Sequence, residues 1–237
     1  MISAKRRTSV SYVIPFGEPP TLDVLGTDQR FPVRRIYCVG RNYADHAIEM
    51  GHDPDAEPPF FFQKPADSIL PSGGDFPYPP MSKDVHYEIE LVAALGSGGT
   101  DIPAEKALEC VFGYAVGIDM TRRDLQAEAK KMGRPWEVGK AFDFSSPCTR
   151  IHTVRQLGHP STGAIWLKVN GDTRQQSDIS HMIWKTPEII AHLSRLFTLA
   201  AGDLIFTGTP AGVGPIVPGD LIQGGVENVD EIKIQVA

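Results

Sequence analysis

A chain of 237 residues, 41% hydrophobic and 22% charged, can bury a full core and reads as one domain with a short appendage. A formal net charge of −6 without a basic tract argues against a nucleic-acid partner, and no apolar run nears the ~20 residues of a membrane helix. Cys38, Cys110 and Cys148 form no CxxC pair and read as free thiols, and the N-terminus MISAKRRTSVSY carries no secretory hydrophobic segment, so a cytoplasmic protein is expected.

Residues 1–33 read as a lead-in of short strand-like pieces, VSYVIPF and TLDVLG, broken by Gly, Pro and Asp. The main domain, 34–237, opens with RIYCVG, a β-rich run ending at Gly40; RNYADHAIEMG then suits a short helix stopped by Gly51. His46 and Glu49 share a face of that helix. A carboxylate holding an imidazole fixes its tautomer and raises its basicity, as removal of a proton from water requires. A surface ion pair is the plain alternative. The proline-rich stretches DPDAEPPFFFQKP and DFPYPPMSKD are excluded from central strands, because proline has no amide to donate, and are expected as loops and edges.

VHYEIELVAALG alternates and then becomes continuously apolar, the pattern of a strand entering a core. Side chains two apart on a strand point to one side, so Glu88 and Glu90 are expected to project together. Adjacent buried carboxylates repel unless a cation joins them. PAEKALECVFG reads as a helix and YAVGID as a strand, whose end delivers Asp119 as a third oxygen ligand. An all-oxygen set favours a hard divalent ion, Mg²⁺ or Mn²⁺. His86, two residues before Glu88, is a ligand on spacing or a histidine of the rim.

TRRDLQAEAKKMG is helical up to Gly133, with Arg123 and Gln126 on one face of its first turn. They read either as a solvated face or as a fork for a substrate carboxylate beside an amide that orients a carbonyl. Lys140 lies in the apolar context EVGKAFDF, where an ammonium needs an anion. AIWLKVNGDTRQQ is a hairpin on a type I′ turn at Asn170-Gly171. TPEIIAHLSRLFTL is an amphipathic helix capped by Thr186 with Pro187 at its first position. TGTPAGVGP, with Thr209, lacks the lysine of a P-loop and the order of a dinucleotide site; it is a carboxylate cradle or a tight connection. The whole pattern is α+β, predominantly β, without βαβ alternation.

Seven stretches in order, CVGRNYADHAIEMG, PPFFFQKPADS, VHYEIELVAALG, GYAVGIDMTRRDLQ, GRPWEVGKAFDFSSP, WLKVNGDTRQ and FTGTPAGVGP, together resemble the fumarylacetoacetate hydrolase family. The resemblance spans roughly residues 34–236 and is nearest to members that act on fumarylpyruvate. It implies a mixed β-sandwich roll with a few short helices, usually assembled as a homodimer. It implies Glu88, Glu90 and Asp119 as metal ligands and His46 with Glu49 as the pair that activates water. Lys140 would add electrostatic support, and Arg41, Arg123, Gln126 and Thr209 would contact substrate. The expected reaction is metal-dependent hydrolysis of a carbon–carbon bond in a small anionic acylpyruvate, as in gentisate-type aromatic catabolism. An oxaloacetate decarboxylase, another acylpyruvase, a hydroxymuconate isomerase and a non-catalytic binding module are the alternatives.

Overall fold

The structure, a computed structural model, describes residues 12–15, 17–49 and 58–237, without the side chains of 47–49. Gly51, the expected stop of the first helix, lies outside it, as do Val10, Ser11 and Phe16 of VSYVIPF; the described residues 12–15 of that stretch form bends, not a strand. Two sheets dominate. The larger runs in the order Phe60–Lys64, Arg35–Gly40, Asp203–Phe206, Ile89–Leu95, Val111–Ile118, Ser146–Cys148, Ile69–Pro71, with His152–Thr153 also paired to Val111–Ile118. It is mixed: Asp203–Phe206 runs parallel to Arg35–Gly40, and Ser146–Cys148 parallel to Ile69–Pro71. The second sheet runs Asp172–Asp178, Ala164–Val169, Leu221–Val226, Asp230–Val236, Asp75–Phe76. This is the mostly-β roll that the sequence leads one to expect, with few short helices.

Ile89–Leu95 is apolar at nearly every position because both faces of the large sheet are covered. Leu91, Ala93 and Leu95 point into the main core with Ile165, Leu167, Ile222 and Ile234 of the second sheet and Ile189, Ile190 and Leu193 of the helix Thr186–Leu196. Val92 and Ala94 point the other way, into a smaller core with Ile36, Leu204 and Phe206. The hairpin Thr21–Asp23/Arg30–Pro32 covers that side with Leu22, Val24 and Phe31. Among the described residues, proline-flanked Phe60–Lys64 is an edge strand paired only to Arg35–Gly40, in keeping with its prolines. No helix among the described residues is long and apolar enough to cross a membrane.

Local chemistry explains the details. Asn170 (φ 53°) and Gly171 (φ 90°) both take the left-handed conformations of the hairpin turn between Ala164–Val169 and Asp172–Asp178. Gly133 ends the helix Arg123–Met132 at φ 62°. Three expectations are corrected. The helix after Pro103 is α-helical only over Ala104–Ala107, because from Val111 the chain is taken into the large sheet against Ile89–Leu95. Thr186 is the first residue of its helix, not the cap: Lys185 occupies the cap, and its backbone N–H donates to Glu188 Oε2 at 2.8 Å. The acidic strand also breaks at Glu88. Val85–Tyr87 joins Thr121–Arg122 and Gly214–Ile216 in a small sheet, and Ile89–Leu95 joins the large one. Glu88 therefore sits at the corner where the chain changes sheets.

Candidate active site

The strands that flank Glu88 and Asp119 bring these acids together. Ile89 pairs with Ile118 and Glu90 with Gly117, so Asp119 leaves the large sheet opposite the corner at Glu88. The Asp119 N–H then donates to the Glu88 carbonyl at 2.8 Å. One carboxylate oxygen from each of Glu88, Glu90 and Asp119 lies within 4.8 Å of the other two, and all three side chains are buried. Residues widely separated in sequence thus form one oxygen cluster.

Buried and half-buried cations surround it. Lys140, on the short helix Glu137–Lys140, donates from Nζ to Glu88 Oε2 and to Asp119 Oδ2, each at 2.7 Å. Arg123 meets Glu88 Oε1 through Nη2 at 2.5 Å, donates to Gln126 Oε1 at 2.8 Å and reaches His86 Nδ1 at 3.4 Å. Lys64 Nζ stands 2.8 Å from Asp119 Oδ1, while donating to the carbonyls of Ser145 at 2.7 Å and Met120 at 3.1 Å. That contact is an ion pair without hydrogen-bond alignment, and it leaves Oδ1 a buried oxygen with no directed donor. Glu90 accepts from the Gly208 N–H at 2.6 Å but has no lysine or arginine within ion-pair distance among the described residues.

The proton equilibria follow from this arrangement. Burial alone would raise Glu88, but Lys140 and Arg123 outweigh it and hold the carboxyl well below its usual range. Burial, with Asp119 and then Glu88 alongside, pushes Glu90 well above that range. Burial lowers Lys64, whereas Asp119 and Glu88 overcome the burial of Lys140 and raise it. Three clustered carboxylates, one lacking a cationic partner and another with an undirected oxygen, fit a hard divalent ion. Glu88, Glu90 and Asp119 are the groups that would hold it.

A cleft opens above Glu88 and Glu90. Arg41, His46, Arg123, Gln126, Lys140 and Thr209 all line it. Asp119, behind Lys140, completes the acidic cluster. His46 is buried on the helix Ala44–Glu49, and the side chain of Glu49, its expected partner, lies outside the described residues. Arg41 adopts a left-handed φ of 58° and lies 5.5 Å from the Phe60 ring. His86 belongs to the rim: it bonds Asp84 Oδ1 at 2.8 Å on one side and Arg123 on the other. The fork of Arg123, expected for a substrate carboxylate, is in this structure occupied by Glu88, Gln126 and His86.

Several participants escape sequence reasoning. Lys64 is one. Gln175, fully buried, is another: it donates to Thr209 Oγ1 at 2.8 Å and the Pro210 carbonyl at 2.7 Å, and accepts from Ile89 N–H at 3.1 Å. That amide ties the TGTP segment to the backbone between Glu88 and Glu90. Buried Asn42 fastens the same segment by donating to the Thr207 carbonyl at 2.7 Å. Gly208 is required beside it, since at φ 100° a Cβ would stand 2.6 Å from the Asn42 Cβ. Trp136, Phe60 and Phe62 form an aromatic wall of the cleft, and Lys130 stands next to it. Nothing in the sequence DTRQQSD marks Gln175; it is the one buried position of that polar strand.

Residues 35–237 match the family model described as fumarylacetoacetate (FAA) hydrolase C-terminal. A fumarylpyruvate hydrolase of Ralstonia sp is 45% identical over 184 residues, covering 78% of this chain and 95% of that protein. The mitochondrial oxaloacetate tautomerase FAHD1 of Mus musculus is 42% identical over 203 residues, covering 86% of this chain and 91% of that protein. Among solved structures, a fumarylpyruvate hydrolase from Pseudomonas aeruginosa, in complex with Mn²⁺ and pyruvate, superposes with a TM-score of 0.94. It is 52% identical and covers 96% of this chain and 99% of that one.

Proposed function

We propose, for a chain that belongs to the fumarylacetoacetate hydrolase family, the metal-dependent hydrolysis of an acylpyruvate, with fumarylpyruvate cleaved to fumarate and pyruvate. The observation that carries the reading is the convergence of Glu88, Glu90 and Asp119 beneath a cleft shared by His46 and by cationic side chains. Glu88, Glu90 and Asp119 hold Mg²⁺ or Mn²⁺, which when bound supplies Lewis-acid polarisation of an α-keto acid.

The chain's own residues do the rest. His46, oriented by Glu49, takes a proton from water, whose oxygen attacks the acyl carbonyl remote from the pyruvate carboxylate. The bond between that carbon and the pyruvyl methylene breaks, its electron pair leaves as the pyruvate enolate, and a proton returned to the methylene gives pyruvate. Lys140, held 2.7 Å from Glu88 and Asp119, serves both carboxylates as counterion and adds positive charge where the enolate develops. Arg41 and Arg123 draw in substrate carboxylates, while Gln126 and Thr209 orient the keto oxygens.

The test is pyruvate release from fumarylpyruvate by the chelated and the metal-restored protein, with His46→Ala alongside. Turnover that needs the ion and falls by about 10²–10⁴ in kcat without His46 is the expected result. Full kcat in His46→Ala removes the imidazole from the mechanism. A second reading is favoured by the relatives named oxaloacetate tautomerase: an enolising reaction of oxaloacetate that needs no water nucleophile. Oxaloacetate offered to the same preparation, with enol decay and CO₂ release followed separately, distinguishes tautomerase, decarboxylase and hydrolase by kcat/KM. The reading takes the protein as a cytoplasmic homodimer of aromatic catabolism, a catalytic domain 34–237 behind the lead-in 1–33.

A further inference from the structure

The lysines and arginines around the acidic cluster have partners. Lys64 faces Asp119, Lys140 faces Glu88 and Asp119, and Arg123 faces Glu88. Lys130 is different. It lines the same cleft, yet among the described residues no carboxylate lies within ion-pair distance of its Nζ. Its ammonium is instead held 4.9 Å from the Trp136 ring. Trp136 stands edge-on to Phe60, with centroids 5.0 Å apart at 85°, and lies 5.8 Å from Phe62.

The helix Arg123–Met132 explains its position. Arg123, Gln126 and Lys130 fall at i, i+3 and i+7, one face of the helix, so the row runs from Glu88 outward along the cleft. Seven residues of helix advance roughly 10 Å. An extended seven-carbon dicarboxylate, at about 1.5 Å per bond before zigzag, is of comparable length. The aromatic wall offers flat apolar surface to a conjugated segment between its two ends.

Resting on the acylpyruvate reading above, we infer that Lys130 is the receptor for a second carboxylate, the one at the far end of the acyl group. The site would thereby select dicarboxylic acylpyruvates such as fumarylpyruvate over those with a neutral acyl group. Burial together with the positive charges of Arg123 and Arg41 pushes the Lys130 ammonium down to about 8, a destabilisation of the charged form that an arriving anion relieves.

The experiment compares kcat/KM for fumarylpyruvate and for acetylpyruvate at pH 7 in the metal-loaded wild type, Lys130→Met and Lys130→Arg. The fumaryl-to-acetyl ratio should fall about 10–100-fold in K130M, chiefly through KM, and largely return in K130R. As a readout independent of turnover, the Kd of fumarate, measured by isothermal titration calorimetry, should rise about tenfold or more relative to that of pyruvate in K130M. An unchanged ratio in an active K130M enzyme, with the fumarate Kd also unchanged, overturns the assignment of Lys130 and leaves the hydrolase reading standing. A wild type that cleaves neither acylpyruvate overturns that reading and the assignment with it.

Discussion

Lys140→Met removes an ammonium from between two buried carboxylates and keeps the bulk of the side chain. In the wild type Nζ donates to Glu88 and to Asp119, each at 2.7 Å, and the lysine is only 3% exposed. Breaking a buried pair from one side typically costs about 3–5 kcal/mol, because the remaining charge has no counterion. Here Glu88 keeps Arg123 and Asp119 keeps Lys64, so the lower end of that range, about 3 kcal/mol, is appropriate. For a chain of this length each kcal/mol moves Tm by roughly 2–4 °C, so a loss of about 6–12 °C is expected in chelator. The sign of the pH dependence is fixed by the raised Lys140 ammonium: its contribution is complete below the ordinary lysine value and is lost only as pH climbs through the higher folded one. The deficit should therefore be flat from pH 6 to pH 9. Differential scanning calorimetry in EDTA measures it, and Mn²⁺ should shrink it by balancing the same two carboxylates. A deficit under 2 °C in EDTA refutes the account of Lys140 as the counterion of the acidic cluster.

Two further outcomes are expected. Saturating Mn²⁺, at about a hundred times Kd, should stabilise the protein by about 2.7 kcal/mol, or roughly 5–11 °C in Tm. Glu90→Gln should remove most of that shift, and a shift of full size in E90Q ends the assignment of Glu90 as a ligand. Lys130, facing Arg41, Arg123, Lys140 and Glu88, loses its proton near pH 8, so KM for fumarylpyruvate should climb above that pH. In Lys130→Arg, which stays charged, the same profile should remain flat to higher pH; a parallel climb in both proteins assigns the titration to another group.

The Glu88–Glu90 pair, the hairpin turn and the helix along the cleft were legible because each depends on neighbours in sequence, whereas Asp119 joins the two glutamates through sheet pairing. Asn170-Gly171 specifies its turn by left-handed conformations alone, and Gly133 ends its helix in the same way. Lys64 was not legible. It stands in an edge strand whose local pattern gives no reason for a buried ammonium, and its partner Asp119 arrives only through sheet pairing. Gln175 looks like one more polar residue of DTRQQSD until the strand order turns it inward toward Ile89 and Thr209. Thr186 misled because a threonine before proline is a good cap, yet Glu188 reaches back one residue further, to the Lys185 N–H. What sequence withheld were the contacts made across the fold.

Those contacts also explain how a protein of net charge −6 attracts an anion. Arg41, Lys64, Arg123, Lys130 and Lys140 line or brace the cleft against the three carboxylates of Glu88, Glu90 and Asp119. Low-dielectric walls focus that local excess of positive charge, so the field at the mouth opposes the field of the molecule as a whole. The imbalance is uneven. Among the described residues Glu90 has no lysine or arginine within ion-pair distance and Lys130 no carboxylate, while Lys64, Arg123 and Lys140 are already engaged with Glu88 and Asp119 at 2.5–2.8 Å. Turning Lys64, Arg123 or Lys140 toward Glu90, or Glu88 toward Lys130, would strip a buried carboxylate or ammonium of a partner. A divalent cation would meet the need of Glu90 and, as inferred above, the far carboxylate of a dicarboxylate that of Lys130, so the two ends of the cleft call for ligands of opposite charge.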